Sequence, residues 1–168
     1  ILDATRQIFP IGYIIVYLKN GESMKIQLNK TYKFEVDNFS FGEITREELI
    51  ENYKDGRCAS WFMEPQLAKW FPELTRVIGN KDHDHVDKNG AKYDAKNFTK
   101  NGLKFMPSSQ IGVGRKFEES VAHRKAKDLI FICCDVVDFP KIRVKFLEGG
   151  ELVKKYPKCL ISKSKREV

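Results

Sequence analysis

The sequence predicts a mixed α/β domain, and three observations carry that reading. Strand-length apolar and β-branched runs fill the first forty residues. A capped helix and an aromatic-rich helix follow. After a polar hairpin, a basic helix leads into two more strands. At 168 residues the chain has the length of a single domain. It is read as an N-terminal β region over 1–44 and a core over 58–147, with no internal repeat and no linker.

Taken in order, Ile11 to Leu18 is a β-branched and aromatic run that reads as a strand. Asn20-Gly21 is a strong hairpin signal, and Met24 to Leu28 alternates with period two as its returning strand. Thr31 to Val36 reads as a third strand. Thr45-Arg46-Glu47-Glu48 has capping-box spacing and predicts a helix that Gly56 ends. A second helix is expected from near Ser60, with Trp61, Phe62, Leu67, Trp70 and Phe71 as its apolar set and Pro65 kinking its first turns. Lys116 to Leu129 reads as a basic helix, residues 130–137 as a buried strand and Ile142 to Leu147 as an alternating one. Glu148 to Glu151 is expected to be a turn, and the charged tail from Lys163 to Val168 to fray.

Thirty Lys and Arg against 23 Asp and Glu leave a net charge of +7. Such a basic excess fits a polyanionic partner, nucleic acid first. Cys58, Cys133, Cys134 and Cys159 have no C-x-x-C spacing, which argues against zinc fingers and redox sites. Reduced, buried thiols in a cytoplasmic protein are the simpler expectation. No run approaches the roughly 18–20 apolar residues of a membrane span, so no membrane partner is expected. Neither is a signal peptide. Gly112-x-Gly114 lacks the Gly-Lys-Ser/Thr of a phosphate-binding loop, so no nucleotide cofactor is expected.

Chemistry concentrates between Asp82 and Lys96. Asn89-Gly90 predicts a hairpin with strands over 82–86 and 92–98. With a three-residue loop centred on Asn89, Asp84 falls opposite Asp94; with a two-residue loop, His85 takes that place. Asp94 and Lys96 share one strand face, while Tyr93 and Ala95 share the other. Two acids and a lysine thus converge, and acids that close repel unless a cation lies between them. Hard oxygen ligands suit Mg2+, or Mn2+. A bound ion polarises a phosphate and acidifies water, and a neighbouring lysine orients that water.

An acid, about ten residues, then Asp-x-Lys on the next strand resembles the PD-(D/E)xK nuclease superfamily, the restriction-endonuclease-like fold. The resemblance covers about residues 58–147. It implies Asp84 and Asp94 as metal ligands and Lys96 as the residue that positions water. Glu64, on the preceding helix, is implied as a further acid. The residue before Asp84 is His83 rather than proline, and the second acid is Asp rather than the commoner Glu. The implied function is Mg2+-dependent hydrolysis of DNA phosphodiesters, by a type II restriction enzyme acting as a homodimer on double-stranded DNA, or by a junction or repair nuclease.

Asp82-His83-Asp84-His85 with the following Asn89-Gly90 also looks like the start of a ββα-metal (His-Me) nuclease. That reading makes His83 or His85 the general base, Asp82 a ligand, and Asn97 or Asn101 the partner asparagine. Outside the hairpin, the loop from Pro107 to Lys116 offers Gln110, Arg115 and Lys116 as DNA contacts, with Lys100 and Lys104 beside it. The reading from a different class is a basic nucleic-acid-binding module without catalysis, its hairpin acids merely solvated.

Overall fold

The computed structural model describes residues 14–15, 24–37, 39–79 and 82–167. Their architecture is mixed α/β. A seven-stranded mixed sheet has the order β1-β2-β8-β7-β5-β4-β3, and β6 and β9 form a separate two-stranded sheet. In chain order the elements are β1 (Ile14–Ile15), β2 (Thr31–Glu35), α1 (Arg46–Lys54), α2 (Arg57–Trp70), β3 (Thr75–Arg76), β4 (His85–Val86), β5 (Lys92–Phe98) and β6 (Leu103–Lys104). There follow α3 (Glu119–Lys127), β7 (Ile130–Asp135), β8 (Lys141–Glu148), α4 (Gly149–Lys155) and β9 (Leu160–Ile161).

Both faces of the central strands are buried, as expected where helices cover a sheet on two sides. On one face Tyr32, Met63, Leu67, Phe71, Tyr93, Ile132, Val144 and Phe146 pack together under α2. On the other, Phe98, Leu103, Phe131, Leu147 and Leu152 pack with Ala122 and Ala126 of α3. Adjacent residues divide between the faces, Phe131 from Ile132 and Phe146 from Leu147, as strand periodicity demands. β3, β4 and β5 run antiparallel in succession; β5 then pairs parallel with β7, and α3 lies in the crossover.

The Thr45 capping box is present in both directions, with Glu48 as its acid. Other expectations need correction. The Asn20-Gly21 turn lies outside the described residues, and Met24 to Leu28 forms no strand. Side chains satisfy that backbone instead: the Ile26 amide donates to Glu73 at 2.7 Å and the Gln27 amide to the Tyr32 hydroxyl at 2.9 Å. Only Leu28 makes a bridge, to Phe146. The second helix starts at Arg57, directly after Gly56 (φ 88°), so Pro65 sits mid-helix. The basic helix begins at Glu119 rather than Lys116.

Residues 149–155 form α4 where a turn was expected. A Cβ on Gly149 would lie 1.9 Å from the Ala126 carbonyl oxygen, so the glycine is there for close helix approach. The tail is pinned rather than frayed. Arg166 binds buried Asp135 at 2.7 Å and Asp138 at 2.6 Å, and Glu167 binds Arg143 at 2.8 Å.

Candidate active site

The hairpin adopts the three-residue register: Val86 pairs with Lys92 and His85 with Tyr93. Asp87 closes the loop. Its amide donates to the Ala91 carbonyl at 3.1 Å, and its carboxylate accepts the amides of Asn89 and Ala91, both at 2.9 Å. The ladder ends at the His85–Tyr93 pair. Beyond it the Asp84 amide donates to the Tyr93 carbonyl at 2.9 Å, and the Asp84 carboxylate accepts the Ala95 amide at 2.8 Å. A side chain thus occupies the place of the next backbone rung, which holds the Asp84 carboxyl against β5 beside Asp94.

Asp94 is 9% exposed and lies 2.9 Å from the Lys96 ammonium. The two residues share the strand face turned towards α3, while Tyr93 and Ala95 pack into the opposite core. Asp84 hydrogen-bonds to Asp94. Burial first, then the charge of Asp94, pushes the Asp84 carboxyl up to about 7. Near neutrality, and with no cation present, the pair therefore holds a shared proton.

A cleft of about 670 Å³ opens over these groups. It is lined by Ser60, Met63 and Glu64 of α2, by Asp82 and Asp84, by Asp94 to Asn97, by Ser108 and Ser109, and by Val121 and Lys125 of α3. Asp84, Asp94, Lys96 and Glu64 therefore come together in one cleft. Glu64 is engaged elsewhere, however: Arg76 of β3 donates to one of its oxygens through Nε at 3.2 Å and Nη2 at 2.8 Å. Sequence reasoning missed Arg76, since only the α2–β3 reversal brings it to Glu64. Asn97 is a structural tie. Its amide donates to the Gly56 carbonyl at 3.0 Å and to Ser60 Oγ at 2.9 Å, fixing the start of α2 to β5. Asn101 lies outside the cleft lining, in the exposed turn after β5.

His85 is fully buried, and its Nε2 lies 2.8 Å from the Glu64 carbonyl. A nitrogen facing a carbonyl must carry the proton, so the ring is a neutral donor with no access to a water in the cleft. That excludes His85 as a general base, and Lys92–Phe98 is a strand where the ββα-metal reading calls for an early helix. His83 is half-buried, while Asp82 is exposed and lies 3.7 Å from Lys125.

The expected DNA contacts are placed less centrally. Gln110 clamps its own loop, accepting the Glu118 amide at 3.1 Å and donating to the Glu118 carbonyl at 3.4 Å. Arg115 donates through Nη1 to the Ser108 carbonyl. Lys116, Lys100 and Lys104 are exposed and lie outside the cleft lining, whereas Lys125 is within it.

Among the described residues no group of three or more His, Cys, Asp and Glu side chains is arranged to hold a metal ion. Two carboxylates are nevertheless what a Mg2+ site asks of a protein when phosphate and water complete the shell. The proton shared by Asp84 and Asp94 marks the spot where a hard cation would relieve their repulsion. By donor chemistry the residues fit the ion.

No family model, curated protein or solved structure matches this chain. Among the described residues, no helix is long and apolar enough to cross a membrane.

Proposed function

We propose that the protein is a Mg2+-dependent endonuclease hydrolysing DNA phosphodiester bonds, with Mn2+ as a workable substitute. The observation that carries this reading is the convergence of Asp84, Asp94 and Lys96 at the floor of one cleft. The element order supports it: a helix bearing Glu64, a hairpin bearing the acid and the Asp-x-Lys, then a helix and two strands. This is the order that the PD-(D/E)xK resemblance implies. The net charge of +7 supports a polyanionic substrate.

In this mechanism Asp84 and Asp94 would hold the ion, which when bound polarises a phosphate oxygen and acidifies water. Lys96 orients the attacking water and faces the charge that develops on phosphorus. Glu64, paired to Arg76, supports the site through charge balance instead of as a direct ligand. One such centre per chain cuts one strand, so double-strand cleavage in the manner of a type II restriction enzyme calls for a homodimer on double-stranded DNA.

The test is cleavage of plasmid and oligonucleotide DNA with Mg2+, against EDTA, Asp94→Ala and Lys96→Ala. Expected are fragments that vanish in all three controls while DNA binding persists. Absence of cleavage on every substrate, with salt-sensitive binding retained, would leave a non-catalytic binding module.

A further inference from the structure

Two large apolar side chains stand almost wholly in solvent beside this cleft: Trp61 is 82% exposed and Ile78 is 83% exposed. The other tryptophan, Trp70, behaves as the residue type usually does, 9% exposed and stacked on Phe34 at 3.9 Å.

The positions of Trp61 and Ile78 follow from the Glu64–Arg76 ion pair, which at 2.8 Å fixes α2 beside β3. Trp61 is three residues back from Glu64, about 4.5 Å along a helix axis. Ile78 is two residues beyond Arg76, about 6.6 Å at strand rise. The turn from Phe71 to Leu74, closed by the Leu74 amide on the Phe71 carbonyl at 2.9 Å, reverses the chain between the two elements. Both displacements therefore point the same way, and Trp61 and Ile78 emerge on one side of the ion pair. Ser60 and Glu64, which flank Trp61 on α2, line the cleft. The Val77 amide donates at 2.8 Å to the Asp84 carbonyl, which ties the residue before Ile78 to the cleft floor. The two apolar residues form its lip.

We propose that this lip receives an unpaired nucleobase of the substrate strand, stacked on the Trp61 indole with Ile78 against its edge, next to the phosphate held over Asp84 and Asp94. The inference rests on the nuclease reading for the nature of the substrate, and adds that the strand entering the cleft presents a base outside a helical stack. An aromatic face beside a cationic groove is the arrangement that holds single-stranded nucleic acid without regard to sequence. Such a base comes either from a single-stranded or bulged substrate or from a nucleotide flipped out of a duplex.

The test is binding in EDTA to three oligonucleotide probes: a single strand, a paired duplex, and a duplex with one unpaired nucleotide. Trp61 is the solvent-accessible indole, so its emission reports directly. Wild-type protein should show quenched emission on the single strand and the bulged duplex. Trp61→Ala should lose that quenching and bind both about tenfold more weakly, the worth of one base–aromatic stack. Trp61→Phe should keep most of the affinity, and affinity for the paired duplex should change less than about twofold in either variant.

Equal weakening on the paired duplex, with rising emission from a 2-aminopurine placed in it, would support a base flipped from duplex DNA. Equal weakening without that rise, or no weakening by Trp61→Ala on any probe, overturns the proposal. Mg2+-dependent cleavage separates it from the nuclease reading. Cleavage untouched by Trp61→Ala sinks only the stacking site, while Trp61-dependent binding without any cleavage sinks only the nuclease.

Discussion

The Asp84 carboxylate accepts the Ala95 amide at 2.8 Å, a bond between residues eleven positions apart on facing arms of the hairpin. The bond fixes Asp84 next to Asp94 and gives the metal-free site its proton. Burial and the neighbouring charge push the Asp84 carboxyl from 3.8 up to about 7. Between those two values the folded chain holds a proton that the unfolded chain has released, so stability falls as pH rises across that window and is level above it. In EDTA, wild-type protein should lose about 3 kcal/mol relative to Asp84→Asn between pH 4 and pH 7.5. Urea unfolding of both proteins across that range measures it, and parallel curves would refute the shared proton.

His85 gives the opposite slope. Burial holds its pKa below the ordinary 6.5, and the Nδ1 atom has no partner. A charged ring is disfavoured in the fold, so the neutral ring's contribution is complete above pH 6.5 and declines as pH drops below it. His85→Gln, which cannot take a proton, should show a flatter acid limb in the same unfolding experiment. At pH 7.5 it should be less stable by about 1–2 kcal/mol, having lost part of the hydrogen bond to the Glu64 carbonyl.

Lys96 is the residue whose loss should separate chemistry from folding. Its ammonium is 20% exposed and sits 2.9 Å from Asp94. Lys96→Met keeps the aliphatic stem packed and removes the charge. We expect cleavage to fall by at least about 100-fold, as for loss of a preorganised charge stabiliser. Thermal unfolding in EDTA should move by only a few degrees. A Lys96→Met protein that cleaves at the wild-type rate would remove the lysine from the mechanism.

Adjacent glycines in α4 should behave oppositely. On Gly149 a methyl group would strike the Ala126 carbonyl, 1.9 Å away, while on Gly150 it meets nothing within 4 Å. Gly149→Ala should destabilise by about 3 kcal/mol or more, by overpacking against rigid backbone. Gly150→Ala should stabilise by about 0.5–1 kcal/mol through helix propensity. Chemical denaturation of the two variants decides it.

The parts of this molecule legible in the sequence are those governed by near neighbours. Asn89-Gly90 indicated the hairpin and left two registers open, of which Asp87, closing the loop with three hydrogen bonds, selects the one that sets Asp84 towards Asp94. The Thr45–Glu48 box marked its helix for the same reason. What was hidden depends on distant partners. Gly149-Gly150 reads as a turn until α3 is seen pressed against it. Arg166 reads as a frayed end until buried Asp135 is found to accept it. Strands β6 and β9 hold two residues each, too short to leave a periodic signal. Glu64 was found by its place on the preceding helix, but its tie to Arg76 arises only from the reversal between α2 and β3.

The hairpin also imposes a parity rule on any descendant of this chain. Asp84 and Asp94 meet because equal numbers of residues lead from each to Asn89, and the tip at Lys88, Asn89 and Gly90 is exposed. Matched lengthening of the two arms moves the tip outward and leaves the acids facing each other. A residue added to one arm alone must be extruded as a bulge, or it turns Asp94 and Lys96 into the core and Tyr93 and Ala95 out to the cleft. Length variation here should therefore come in even steps, with odd ones confined to chains that have abandoned the acid pair.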